Sequence, residues 1–163
     1  MRAISELTTN PFFALPIQQW PQTRGIRTVE DGIDLGRYRL QMLKQSHSGG
    51  SLGYRLGRFG YVTDCTPSAE HVPFLQGAEL VLMDTMFDRR AAQGGDSTAQ
   101  HGDSISNAEI ARDAGVAHLG LIHLDPDFDE GRVDVLLAEA RTIFPNAFLP
   151  VEGNMYRVSA PSP

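Results

Sequence analysis

The sequence predicts an α/β fold: one mixed β-sheet with helices on one face. Three observations carry this. Two nearly continuous apolar runs, "AELVLMDTMF" and "AHLGLIHLDP", have the length and character of strands buried on both faces. Each is followed by a stretch whose apolar residues recur at helical spacing, giving strand–helix–strand–helix–strand. Ahead of them stand shorter segments broken by glycine turns, the mark of antiparallel strands.

Taken in order, residues 1–25 hold three prolines and an apolar cluster of Phe12, Phe13, Leu15, Ile17 and Trp20. This pattern predicts an irregular lead-in. "GIDLGRYRLQML" reads as a strand, and "SLGYRLGRFGYVTD" as two strands around a turn at Gly57 to Gly60. "GGDSTAQHGDS" is a polar loop without periodicity. "SISNAEIARDAG" predicts a helix with an N-cap serine and Gly115 at its C-terminal end. "DEGRVDVLLAEARTIFP" predicts an amphipathic helix closed before Pro145, and "AFLPVEGNMYRV" a final short strand. The domain is expected over 26–158, and residues 159–163 as a disordered tail.

The 163 residues, 41% hydrophobic and 21% charged, suit one globular domain with a core. The net charge of −6 argues against a broad nucleic-acid or anionic-membrane footprint. The single cysteine, Cys65, leaves no intrachain disulfide. The start lacks a signal-peptide pattern, and no window approaches the ~20 apolar residues that span a bilayer. A cytoplasmic location and no membrane partner are expected.

Three polar residues recur at one kind of place. His47 stands before a strand, Asp64 after one and His123 after another. Strand ends are where layered α/β folds collect ligand sites, because the sheet holds them rigid while the loops stay open. Two imidazoles and a carboxylate suit Zn²⁺, Mn²⁺ or Fe. A lone His or Asp there more often caps a turn, so the signal lies in the set. His101, in a glycine-rich loop before a helix, is placed to touch an oxyanion or protonate a leaving group. His71 and Cys65 read as structural, and His118 starts a strand at the end away from His123. The glycines of "GGSLGYRL" and "GRFGY" lack the Lys-Ser/Thr and helix of a phosphate-binding loop, so they read as turn and packing residues.

The segments "HSGGSLGYRL", "YVTDCTP", "AELVLMDTMF", "QHGDSISNAEIARDAGVAHLGLIHLDP" and "LLAEARTIFPNAFLPVEG", in that order, resemble the C-terminal half of the metallo-β-lactamase fold superfamily. The likeness is to its phosphodiesterase and ribonuclease Z-like branch and covers roughly residues 26–153. It implies half of an αβ/βα sandwich, with the lead-in similar to the family's central connection. It also implies that His47 completes the first metal site, that Asp64 bridges two metals, and that His123 is a ligand of the second. His101 resembles the non-ligand histidine that contacts the scissile phosphate, so His101 and Asp64 are the implied catalytic residues. Cys65 stands where a threonine is commoner, and Asp103 and Ser104 follow His101 where that branch often has a Ser or Thr.

The family's first half supplies a His-x-His-x-Asp-His loop, and no such string occurs in this chain. The resemblance therefore implies the C-terminal portion of a dinuclear metal-dependent hydrolase acting on a small phosphodiester or other ester, with nucleic acid still open. Such a chain is incomplete without that loop and inactive or weakly active alone. A second chain or second copy is expected over the uncovered sheet face. The alternatives are a non-catalytic remnant serving as a binding or interaction module, and an unrelated small α/β binding domain.

Overall fold

The computed structural model describes residues 32–88 and 100–160. The lead-in of residues 1–25, the loop's residues 94–99 and the last three residues of the tail lie outside them. Seven strands form one sheet whose spatial order follows the chain: β1 (Ile33–Leu35), β2 (Tyr38–Gln45), β3 (Ser51–Leu56), β4 (Phe59–Val62), β5 (Leu80–Asp84), β6 (His118–Ile122) and β7 (Ala147–Phe148). β1 to β4 pair antiparallel, and β4 to β7 pair parallel. The change at β4 follows from the connections. Tight turns can only reverse a strand, whereas helices α1 (His71–Leu75), α2 (Ser104–Asp113) and α3 (Glu130–Ile143) return the chain for parallel pairing.

The segment expected as one strand over "GIDLGRYRLQML" is two. Gly36, at φ +72°, takes the left-handed conformation a tight reversal needs, and Leu35 pairs with Tyr38 across it. α1 was not foreseen, since Pro73 and five residues leave no period to read. The expected N-cap serine of α2 is its first helical residue instead. Asp103 is the cap, its carboxylate accepting from the N–H groups of Ile105 and Ser106 at 3.0 Å each. α3 is capped in the same way by Asp129.

Val62, Val81, Met83, Leu119 and Leu121 fall on one face of the sheet by register and are buried against Leu75, Ala108, Ala111, Leu136 and Ala140 of the three helices. Gly60 admits α1, because a Cβ there would sit 2.7 Å from the Leu75 side chain. The opposite face carries the row Tyr54, Tyr61, Leu82, Gly120 and Phe148. Part of it is covered by the segment after β7: Pro150 comes close enough to Gly120 that a Cβ would lie 2.9 Å from it, and Tyr156 packs on Phe148 at 5.4 Å. Tyr54 and Leu35 remain exposed. Among the described residues no helix is long and apolar enough to cross a membrane.

Candidate metal centre and active site

Strands β2, β4, β5 and β6 all run toward the same edge of the sheet, and each delivers a functional group there. His47 lies in the β2–β3 turn, closed by the Gly50 N–H donating to its carbonyl at 2.9 Å. Asp64 comes two residues after β4, Asp84 ends β5, and His123 directly follows β6. The turn and the Asp64 loop are tied together: the Thr66 N–H donates to Ser46 O at 3.2 Å and the Ser51 hydroxyl to Thr63 O at 3.3 Å.

Asp64 and His123 have φ of +51° and +57°, the only non-glycine residues at positive φ among those described. Each such conformation costs on the order of 1 kcal/mol and persists only where its surroundings enforce it. Both turn sharply off a strand end and bring their side chains together, with His123 Nε2 3.5 Å from Asp64 Oδ1.

His101 reaches the site because Gly102 has no side chain. A Cβ there would collide with the backbone carbonyl of Asp84 and lie 2.7 Å from the Asn107 amide. Asn107, buried on α2, donates to that carbonyl at 2.5 Å and to the Thr85 hydroxyl at 2.9 Å, clamping the helix start to the end of β5. The imidazole of His101 is thereby held with Nδ1 2.7 Å from Asp84 Oδ2.

Asp84 is the residue sequence reasoning missed. It is 1% exposed and sits at the centre of the group. Oδ2 accepts from His101 Nδ1–H and, at 3.3 Å, from the Cys65 N–H. Oδ1 lies 3.3 Å from His123 Nδ1 and has no hydrogen-bond partner. The signal was a charge closing the apolar run "ELVLMD", at the same strand-end position as Asp64 and His123.

Among the described residues, Asp64, Asp84, His101 and His123 form a group able to hold a metal, each offering an atom within 4.8 Å of the others. His47 is not one of the four. It stands beside them, its ring 5.2 Å from that of His101, which is in turn 5.1 Å from His123. The predicted residues thus meet at one sheet edge, with His47 on the His101 side rather than against Asp64 and His123.

The donor set fits a cation. His123 faces a carboxylate oxygen from each ring nitrogen, and the buried Asp84 Oδ1 has no hydrogen-bond partner, so positive charge is favoured where these N and O donors converge. Tetrahedral bonds of about 2.0–2.1 Å separate neighbouring ligand atoms by roughly 3.3 Å, close to the spacing of His123 Nε2 and Asp64 Oδ1.

The neighbours stay out of the chemistry. Burial, and secondarily the Asp84 charge, push the Cys65 thiol up to about 12, so it is no thiolate nucleophile. His71 is buried, its Nδ1 accepting from the Ser68 N–H at 3.0 Å and its Nε2 3.2 Å from the Gln45 amide, and burial lowers its pKa. His118 is exposed at the opposite end of β6.

Known proteins decide the family. The chain is 31% identical over 133 residues to ribonuclease Z of Aeropyrum pernix, covering 77% of this chain and 40% of that one. It is 37% identical over 92 residues to ribonuclease Z of Synechococcus, covering 55% of this chain and 29% of that one. Its fold matches the metallo-β-lactamase fold protein YhfI from Bacillus subtilis with a TM-score of 0.62 at 27% identity, covering 72% of this chain and 47% of that one. The chain belongs to the metallo-β-lactamase fold superfamily. Its likeness there is to the ribonuclease Z-like branch of metallohydrolases. This metallo-β-lactamase fold chain spans less than half the length of the curated relatives it matches. No family model matches it.

Proposed function

We propose that the chain is the C-terminal portion of a dinuclear metal-dependent hydrolase, acting on phosphodiesters and incomplete without a His-x-His-x-Asp-His segment from elsewhere. The observation that carries this is the convergence of His123 Nε2 on Asp64 Oδ1 beside the Asp84–His101 pair, four N and O donors gathered at one sheet edge. Asp64 would bridge two Zn²⁺, Mn²⁺ or Fe ions, with His123 on one and His47 on the other. Bound there, the metal supplies Lewis-acid polarisation of a phosphoryl oxygen and an acidified water. His101 keeps Nδ1 on Asp84, which leaves Nε2 for the leaving oxygen, where the imidazolium form would donate a proton. Relatives named ribonuclease Z bring RNA into the substrate class, beside the smaller phosphodiesters that the acidic balance favours.

Three of the chain's own ligands cannot fill two four-coordinate sites, which need about eight ligand positions between them. Purified alone with Zn²⁺ or Mn²⁺, the chain is therefore expected to hydrolyse bis(4-nitrophenyl) phosphate at a negligible rate. Co-expression with a polypeptide carrying the missing loop should produce turnover, and Asp64→Ala should abolish it. Robust metal-dependent hydrolysis by the chain alone, lost in His123→Ala, would overturn the half-site argument.

A further inference from the structure

Lys44 is the only lysine of the chain, and it lines a cavity of about 400 Å³ together with Gln45, Gly49, Gly50, Ser51 and Leu52. The cavity borders the β2–β3 turn that carries His47. Gly49 and Gly50, at φ +85° and +81°, are turn residues, and a Cβ on either would meet nothing within 4 Å, so they leave the mouth open. The turn is held in place: the Gly50 N–H donates to His47 O, and the Ser48 N–H donates to Gln100 Oε1 at 2.9 Å, fastening it beside His101. We propose that this cavity is a phosphate subsite for an RNA strand, in which Lys44 and the Ser51 hydroxyl hold a phosphate other than the one cleaved. The proposal rests on the phosphodiesterase reading above and narrows its substrate to an oligonucleotide.

Charge argues for an anion. Arg39 is committed to Asp34, Arg58 to Glu79 and Arg132 to Asp88, while Arg55 serves the carbonyls of Gly57, Phe74 and Gln76. Lys44 is exposed and has no ion-pair partner among the described residues, and an ammonium on a flexible stem binds phosphate as a point charge. On a chain of net charge −6, one unpaired cation at the site edge weighs heavily in where a polyanion docks. Ser51 Oγ makes two long contacts, 3.4 Å to Gln45 Oε1 and 3.3 Å to Thr63 O, so its proton can turn to a phosphate oxygen at little cost. Register fixes how far this lies from the reacting group. Lys44 pairs with Leu52, and continuing the Tyr54↔Tyr61 and Val62↔Met83 pairings brings Thr63 and then Asp84 into the same row, on the face without helices. Three strand spacings of about 4.8 Å separate Lys44 from Asp84, roughly 14 Å in all. A four-carbon stem does not cross that span, so Lys44 does not touch the phosphate under attack. A substrate with one phosphodiester leaves the cavity unused, whereas a strand laid along the row places another phosphate in it.

Fluorescence anisotropy with a labelled uridine decamer tests this on the metal-free chain at low salt. Wild type should bind the decamer. Lys44→Gln should weaken binding about 3–10-fold and lower the slope of log affinity against log salt by about 0.7, and Lys44→Arg should keep most of both. Lys44 is exposed, so the urea midpoint of Lys44→Gln should equal that of wild type. In amide NMR the decamer should shift the Gly49, Gly50 and Ser51 signals of wild type but not those of Lys44→Gln. Bis(4-nitrophenyl) phosphate at the same concentration should leave them in place. Equal affinity of Lys44→Gln and wild type, no binding by wild type, or shifts centred on other residues would overturn the inference. The hydrolase reading fails separately. A chain that takes up no Co²⁺ yet binds RNA through Lys44 keeps the subsite and loses the metal centre, and one that takes up Co²⁺ without Lys44-dependent RNA binding does the reverse.

Discussion

Replacing Gly102 by alanine tests how His101 is brought to the site. The added Cβ would press on the backbone carbonyl of Asp84 and lie 2.7 and 3.0 Å from the two polar atoms of the Asn107 amide. None of these is the free end of a flexible side chain. The carbonyl belongs to the last residue of a central strand, and Asn107 is buried on α2. Relief requires the loop to move away, breaking the 2.5 Å bond from Asn107 to that carbonyl. Forcing a methyl into packed space costs about 1–3 kcal/mol, and a buried group left unpaired about 1–3 kcal/mol, so the expected loss is roughly 2–6 kcal/mol. With a urea dependence of about 2 kcal/mol per molar, the unfolding midpoint should fall by roughly 1–3 M. Gly36→Ala is the matched control. Nothing lies within 4 Å of its Cβ, and only the φ of +72° opposes it, a cost on the order of 1 kcal/mol. A Gly102→Ala chain no less stable than Gly36→Ala would refute the close-approach argument.

Other expectations concern stability. Asp103→Ala removes the caps on the Ile105 and Ser106 N–H groups, and the bond from the Ser106 hydroxyl, and should cost about 1 kcal/mol, measured by urea unfolding, whereas Asp103→Ser should recover most of it. Leu121→Ala, fully buried on the helix-covered face, should cost about 2–5 kcal/mol by the same assay, against almost nothing for the exposed Leu35→Ala. The pKa of His71 is lowered by burial, so below its unfolded value near 6.5 the unfolded chain takes up a proton that the folded chain refuses. Stability is then full above that pH and declines as pH falls through it. His71→Gln should flatten the decline in urea midpoints measured between about pH 5 and 7.

What the sequence made legible follows from which interactions are local. The two long helices show in the spacing of apolar residues, and the Leu- and Val-rich core of β5 shows in its unbroken run, because burial writes itself into neighbouring residues. The reversal at Gly36 hid inside an apparently continuous alternation, since one left-handed glycine suffices to divide it. Asp84 was illegible for another reason. Within "LVLMD" it looks like a polar stop to a strand, and it becomes a hub only when His101 and His123 arrive from two separate helical connections. His47, Asp64 and His123 were read because they share a strand-end pattern, yet the pattern could not say that His47 would lie against His101.

The sheet order repeats the chain order, β1 through β7, and that has a consequence for synthesis. Every strand finds its partner already made when it leaves the ribosome, so the sheet can grow by accretion from one side. No strand waits for a later one to be slipped beside it, and each pairing closes only the connection that directly precedes it. The site assembles on the same schedule. The β2–β3 turn sets His47, β4 and β5 add the two aspartates, and only when β6 docks does His123 close over Asp84 and Asp64. Cation affinity is thus the last property the nascent chain acquires, after the scaffold that must bear the strain of Asp64 is already in place.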